Sequence, residues 1–224
     1  MDEWWTYTLA DFLMFSARAY QRLFELYHRD LWPAQGLGLA LGLWWAIELR
    51  AGRPARLRIA LCLLAWAWLV VAVAFLHARY ARINWAAEGF TWAFAMQAVV
   101  LSFVALRPRT WPQLAGGKAP VMVLLGLIFL YPLTGLVGER NWRQLECFAM
   151  TPDLTALGTL VIVGILPRWE RRLCSIVPAL WCVVALATYW TLHWVEFWWL
   201  LAALGAIGVT RWRPNTAARA KSDE

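Results

Sequence analysis

Apolar residues fall along this chain in long blocks, not in alternation and not in 3.6-residue stripes. Such blocks make helices with no wet face, the pattern of buried or membrane-spanning segments. Seven stand out, at approximately 31–49, 58–77, 88–106, 119–137, 152–167, 173–191 and 196–210. Crossing a bilayer takes about 20 apolar residues, with about 17 tolerated, so the fifth and seventh are short. Only Leu192-His193-Trp194-Val195 separates the last pair. Residues 11–29 differ: Phe12, Phe15, Ala19, Leu23 and Leu26 recur at helical spacing, while Arg18, Arg22, Glu25 and Arg29 follow another face. Glu25 is placed to pair with Arg29 one turn on. Three arginines suit a helix lying in the membrane interface. The expectation is an all-α, polytopic transmembrane helix bundle of about seven spans, preceded by an interfacial amphipathic helix. Residues 1–30 form the extracytoplasmic N-terminus, 31–210 the bundle and 211–224 a basic cytoplasmic tail.

Composition agrees with that pattern. Of 224 residues, 62% are hydrophobic and 16% charged, against about 25% charged in a soluble domain. Tryptophan, at 18 copies, concentrates where one ring edge meets lipid and the N–H meets water. Three of the cysteines, Cys62, Cys174 and Cys182, lie in apolar runs, and no Cys-x-x-Cys signals zinc or redox chemistry. The opening Met-Asp-Glu-Trp-Trp lacks the basic and apolar regions of a cleavable signal peptide.

The net charge of +7 would point to nucleic acid in a soluble protein. Here the cations cap helices, and no basic patch interleaved with aromatics indicates a nucleic-acid surface. Arg50, Arg53, Arg56, Arg58, Arg107, Arg109, Lys118, Arg168, Arg171, Arg172, Arg211, Arg213, Arg219 and Lys221 sort to one side. Arg79, Arg82, Arg140, Arg143 and the three arginines of the amphipathic helix sort to the other. The richer side is expected in the cytoplasm, which puts the C-terminus inside and the N-terminus outside. An odd number of spans fits that arrangement.

This orientation gathers chemistry on the outer side. His28, His77, His193, Cys147 and Met150 fall there, and so do Asp30, Glu88, Asp153 and Glu196, each at the start of an inward-running segment. Carboxylates belong at helix N-termini in any case, because unpaired N–H groups and the helix dipole favour them. Thr151-Pro152-Asp153 reads as N-cap, first and second helical positions. As a set, His77, Glu88, Asp153, His193 and Glu196 are candidates to bind a cation. His77, Cys147, Met150 and His193 are the candidate metal ligands, although no standard ligand spacing occurs. His193 and Glu196, three apart, form the best local pair. Within the segments the polar residues are Thr91, Gln97, Ser102 and Thr188, which would line a path. Glu48 is expected to reach water at a cytoplasmic end. The lack of an acid or arginine at mid-span argues against proton-coupled transport. Gly38-x-x-x-Gly42 is a helix-contact signal.

Segments one to three and five to seven share an acid and proline at the start, an arginine-rich turn, and Leu-His at the end of the second member (Leu76-His77, Leu192-His193). This is the outline of a parallel repeat around a central fourth segment. The stretches Tyr7–Leu13 leading to Trp32–Gln35, and Tyr131–Leu160, resemble a family of uncharacterised bacterial integral-membrane proteins, a domain of unknown function. The resemblance implies a bacterial inner-membrane location and supplies no catalytic residue or substrate. Where that family often has Thr-Pro-Cys-Pro-Thr, this chain has Thr151-Pro152-Asp153-Leu154-Thr155, so no thiol role carries over. No phosphate loop, HExxH or nucleophile elbow occurs, so an enzyme is the least favoured reading and no cofactor is indicated. The favoured reading is a small transporter or cation-handling permease with an acid- and His-bearing outer face. The alternative is a non-catalytic accessory or scaffold subunit of a larger membrane complex. Lipid is the expected surrounding, with a membrane-protein partner or a second copy as further partners.

Overall fold

The computed structural model describes residues 15–51, 54–107, 117–138 and 140–212, and over these the protein is all-helical. The basic tail from 213 onward and the start of the predicted amphipathic helix, 11–14, lie outside the described residues.

Helix α1 (Ala17–Asp30) begins where Ser16 accepts a hydrogen bond from the Ala19 N–H, an N-cap that satisfies one orphan donor. Its apolar face buries Tyr20, Leu23, Phe24 and Tyr27 against the protein. Glu25 pairs with Arg22 at 2.7 Å, not with Arg29, which lies nearer Asp30 at 3.5 Å. Helix α2 (Ala34–Ala51) packs on α5 (Lys118–Phe129). Gly38 and Gly42 make the close approach possible. A Cβ on Gly38 would overlap the Phe148 carbonyl oxygen, and one on Gly42 would lie 2.8 Å from Ile128 Cδ1.

Helix α3 (Pro54–Val70) continues into a π-helical turn, Val71–His77, and packs along α4 (Ala87–Leu106). The wider turn loosens the carbonyl ladder, and Arg79 Nη1 donates to the Ala74 carbonyl at 2.6 Å. Helix α8 (Arg168–Thr191) contains Pro178, which has no N–H to give the Cys174 carbonyl one turn earlier. Gln97 of α4 reaches across and donates to that carbonyl at 2.8 Å. The polar residue expected to line a path instead replaces a missing backbone donor. Thr91 donates to its own helix at the Ala87 carbonyl, and Ser102 is half-buried on α4.

Among the described residues, three helical stretches are long and apolar enough to cross a membrane: Arg56–Arg82, Ala87–Leu106 and Arg168–Thr191. That corrects the expected seven; the 196–210 segment forms an apolar helix too short to count among them, and the other three shortfalls have causes of their own. The 31–49 segment forms α2, which carries Gln35, Glu48 and Arg50. Pro132 breaks the 119–137 segment into α5 and the single turn α6 (Thr134–Val137). The 152–167 segment forms α7 (Pro152–Ile162), then a 3-10 turn at Val163–Ile165. All eleven residues of α7 are buried, with α3, α5, α8 and α9 (Glu196–Trp212) packed on it. A helix apolar all round is enclosed by protein or by lipid; for α7 the enclosure is protein. Glu48, expected to reach water, is buried and held by Arg56 at 2.6 Å.

Large apolar side chains also stand on the outside. Leu37, Trp66, Trp92, Met96, Leu180 and Trp198 are all more than half exposed. Patches on this scale mark surfaces made for contact with something other than water.

Candidate functional site

The connection 140–151 folds inward between α1, α2 and the start of α7, and it holds charges that helix patterning does not reveal. Ala149 has φ 61°, in the left-handed region that costs a residue with a Cβ about 1 kcal/mol. Around it the N–H groups of Met150 and Thr151 both donate to the Cys147 carbonyl. This tight turn aims Glu146 into the protein, where it is 6% exposed. Tyr27 of α1 fastens the turn by donating to the Met150 carbonyl at 2.9 Å.

Thr151 takes the extended conformation of an N-cap and Pro152 the first helical position, as the sequence predicts. The Thr151 hydroxyl does not cap; it lies 2.8 Å from Glu146 Oε2 and 3.0 Å from the Cys147 carbonyl. Asp153 is 2% exposed. Its Oδ1 accepts from Trp181 Nε1 at 2.7 Å, and its Oδ2 is in close contact with the Tyr189 hydroxyl. That same hydroxyl lies 3.0 Å from Glu146 Oε1. One phenol therefore stands between two buried carboxyl groups.

Counting protons fixes what this arrangement requires. A tyrosine hydroxyl has one hydrogen and lone pairs to accept with. It donates to one carboxylate only, so the other acid carries a proton and donates to the phenol oxygen. Thr151 poses the same constraint, with one hydrogen and two neighbouring acceptors, Glu146 Oε2 and the Cys147 carbonyl. A protonated Glu146 satisfies either contact. Burial raises the Glu146 carboxyl to about 8, the nearby Asp153 charge adds to this, and Arg140 with the Thr151 and Tyr189 hydrogen bonds opposes it.

A second buried pair adjoins the first. Arg140 Nη1 lies 3.5 Å from Glu196 Oε1, with the two side chains 1% and 3% exposed. The guanidinium sits between the rings of Phe24 and Trp194, at 4.9 and 4.7 Å from their centres. Arg140 Nε and Nη2, both Glu196 oxygens and the Tyr131 hydroxyl are buried without a hydrogen-bond partner among the described residues. Ring contacts join the two pairs, since Trp194 stacks on Tyr189 at 5.8 Å and Tyr20 touches both Trp194 and Tyr80.

Glu146 also lines an open cavity of about 860 Å³ between α1, α2, α5 and the 142–148 segment. His28 is on its wall and donates through Nδ1 to the Arg143 carbonyl at 3.0 Å, because a carbonyl can only accept. Burial lowers the His28 pKa, which leaves a neutral ring. Cys147 lines the same cavity, and burial pushes its thiol up to about 11.

The residues singled out from the sequence divide among different places. His77 and Glu88 meet at 3.1 Å, both more than half exposed. Asp30 meets Arg79 at 3.2 Å. Asp153 and Glu196 enter the buried pairs just described. His193 stays exposed with φ 54°. It ends α8 in a Schellman arrangement, in which its N–H bonds the Trp190 carbonyl and the Trp194 N–H bonds that of Tyr189. The backbone turn separates the roles of His193 and Glu196, so no hydrogen bond joins them among the described residues. Met150 is buried, with its carbonyl taken by Tyr27. No group of three or more His, Cys, Asp or Glu is placed to hold a metal among the described residues. The residues not foreseen are Arg140, Glu146, Tyr189, Trp181 and Tyr131. The available signal was a charged run, Gly138–Glu146, set between two apolar segments with no obvious solvent-exposed helix to belong to.

No curated protein and no solved structure matches the chain. One family model matches residues 17–221, and by it the chain belongs to DUF6064, a family of unknown function.

Proposed function

We propose that this chain is a multi-pass protein of a bacterial inner membrane, acting as a small cation-handling permease whose cation is the proton. Three long apolar helices and an apolar exterior support the membrane reading. The sorting of arginine and lysine into an inner and an outer set depends on seven crossings and does not carry over to three. The observation that carries the functional reading is the position of Glu146. It is a wall residue of the cavity and, through Tyr189, a neighbour of Asp153. A proton leaves Glu146 Oε1 for the Tyr189 oxygen as the Tyr189 proton passes to Asp153 Oδ2. The reverse shift returns the proton to Glu146, which exchanges it with the cavity, so the cluster ends each cycle as it began. Acids buried at the end of the bundle supply the chemistry that the spans themselves lack.

Two measurements test this. Infrared titration should show a protonated carboxylic acid persisting above the ordinary carboxylate range, and Glu146→Gln should remove that band. Proteoliposomes carrying an internal pH dye should acidify under an imposed gradient. Glu146→Gln and Asp153→Asn should both stop this; wild-type rates in either variant end the proposal. The exposed aromatic flank of Trp66, Trp92 and Trp198 favours a second reading, an accessory subunit seated against another membrane protein. Recovery of a stoichiometric partner in mild detergent would support it, and a clean monomer would count against it.

A further inference from the structure

The cavity has a chemistry of its own apart from Glu146. Its inner wall is apolar, built from Leu39, Ile128, Phe129 and Phe148. Its rim carries two arginines, Arg29 and Arg143, and two exposed tryptophans, Trp32 and Trp142. Glu25, on the same rim, is taken by Arg22 at 2.7 Å. Arg29 and Arg79 divide the one carboxylate of Asp30 between them. Arg143 lies over the Trp142 ring at 5.0 Å and acts on Glu25 only from beyond ion-pair contact. The rim is therefore cationic where the wall is apolar.

We infer that this cavity binds an anionic phospholipid, with its headgroup on Arg29 and Arg143 and one acyl chain along Leu39, Ile128 and Phe129. A small soluble anion would leave the apolar wall unused. A zwitterionic lipid would bring its cationic end against two arginines. Tryptophans sit at headgroup level in membranes, and basic pockets between helices take anionic headgroups. A volume of about 860 Å³ lies within the range of built ligand sites. The site stands on the cavity alone and does not require proton exchange.

Delipidated full-length protein in detergent, titrated with phosphatidylglycerol and with phosphatidylcholine of the same chains, tests this by native mass spectrometry and thermal shift. Phosphatidylglycerol should bind and raise the Tm, and phosphatidylcholine should do so far less. Arg29→Gln/Arg143→Gln should weaken phosphatidylglycerol binding by roughly tenfold or more. Arg18→Gln, an exposed arginine of α1 away from the cavity, should leave it unchanged. Gly36→Phe should block the tail without disturbing the fold, because a Cβ at Gly36 meets nothing within 4 Å. Equal binding of both lipids, or equal losses from the Arg18 and the Arg29/Arg143 changes, would overturn the site. Asp153→Asn, a change outside the cavity lining, should stop proton movement yet bind lipid as wild type does, so failure of proton movement and failure of lipid binding are separable.

Discussion

Four carboxylates stand at or just before the start of four apolar segments of this chain, yet they belong to two different chemistries. Asp30 and Glu88 are about half exposed and pair with Arg79 and His77. Asp153 and Glu196 are almost wholly buried and pair with Trp181, Tyr189 and Arg140. The helix dipole favours Glu88, Asp153 and Glu196, which lie in first turns, whereas Asp30 ends α1. What separates them is the inward fold of 140–151, which supplies Arg140 and Glu146 and closes the second pair from water. An exposed ion pair is screened and contributes about 0–1 kcal/mol. A buried one has lost its hydration and depends on its partner.

The largest effect should come from separating the buried pair. Arg140→Ala leaves Glu196 without a counter-charge and should cost about 3–5 kcal/mol, read as a fall in thermal stability. Adding Glu196→Leu should restore much of that loss, because removing both charges removes the uncompensated one. A small effect of Arg140→Ala would erase the distinction between buried and exposed acids. Next comes Asp153→Ala, which orphans the Trp181 N–H and removes one neighbour of the Tyr189 hydroxyl. Leaving a buried donor unpaired costs about 1–3 kcal/mol. Trp181→Phe added to Asp153→Ala should recover part of it in a double-mutant cycle.

How far the sequence foretold this depends on the length scale of the signal. Thr151-Pro152-Asp153 marked a helix start correctly, because capping is a local property of three residues. The all-helical class followed from apolar block length. The seven spans did not survive, since apolarity reports enclosure without naming the enclosing medium. The blocks at α2 and α7 have the same look in the sequence as those at α4 and α8. Only tertiary packing shows that α7 is surrounded by helices and that Pro132 cuts its neighbour short. Gln97 and Pro178 are 81 positions apart in sequence. Neither predicts the other, and the fold joins them through one carbonyl. Glu146 was hidden for a related reason: a glutamate in a charged loop reads as solvated until the Ala149 turn directs it inward.

The pH dependence of stability sharpens the comparison further. The Glu146 carboxyl is raised in the folded state to about 8, while an unfolded glutamate titrates near about 4.3. Between these values the native state holds a proton that the unfolded chain has released. The stabilisation is full below about pH 4 and is lost as pH rises through about 8, with a slope of at most about 1.4 kcal/mol per pH unit. Asp153, Arg140, Thr151 and Tyr189 face Glu146 and set this value. Glu146→Gln should flatten the decline in thermal stability across neutral pH. An unchanged slope would mean that the proton resides elsewhere in the cluster.

The smallest expected effect belongs to the exposed pair. His77 and Glu88 touch at 3.1 Å across the turn from the π-helical segment to α4, with side chains 60% and 51% exposed. Water solvates each group when the other is gone, so His77→Ala and Glu88→Ala should each change stability by less than about 1 kcal/mol. Their double-mutant coupling should shrink further in high salt, since exposed charges are screened over about 10 Å at 0.1 M. The Arg140–Glu196 coupling, sealed between Phe24 and Trp194, should barely respond to the same salt. Equal salt sensitivity of the two couplings would show that water reaches both. Burial by the 140–151 connection would then not be what distinguishes the two sets of acids.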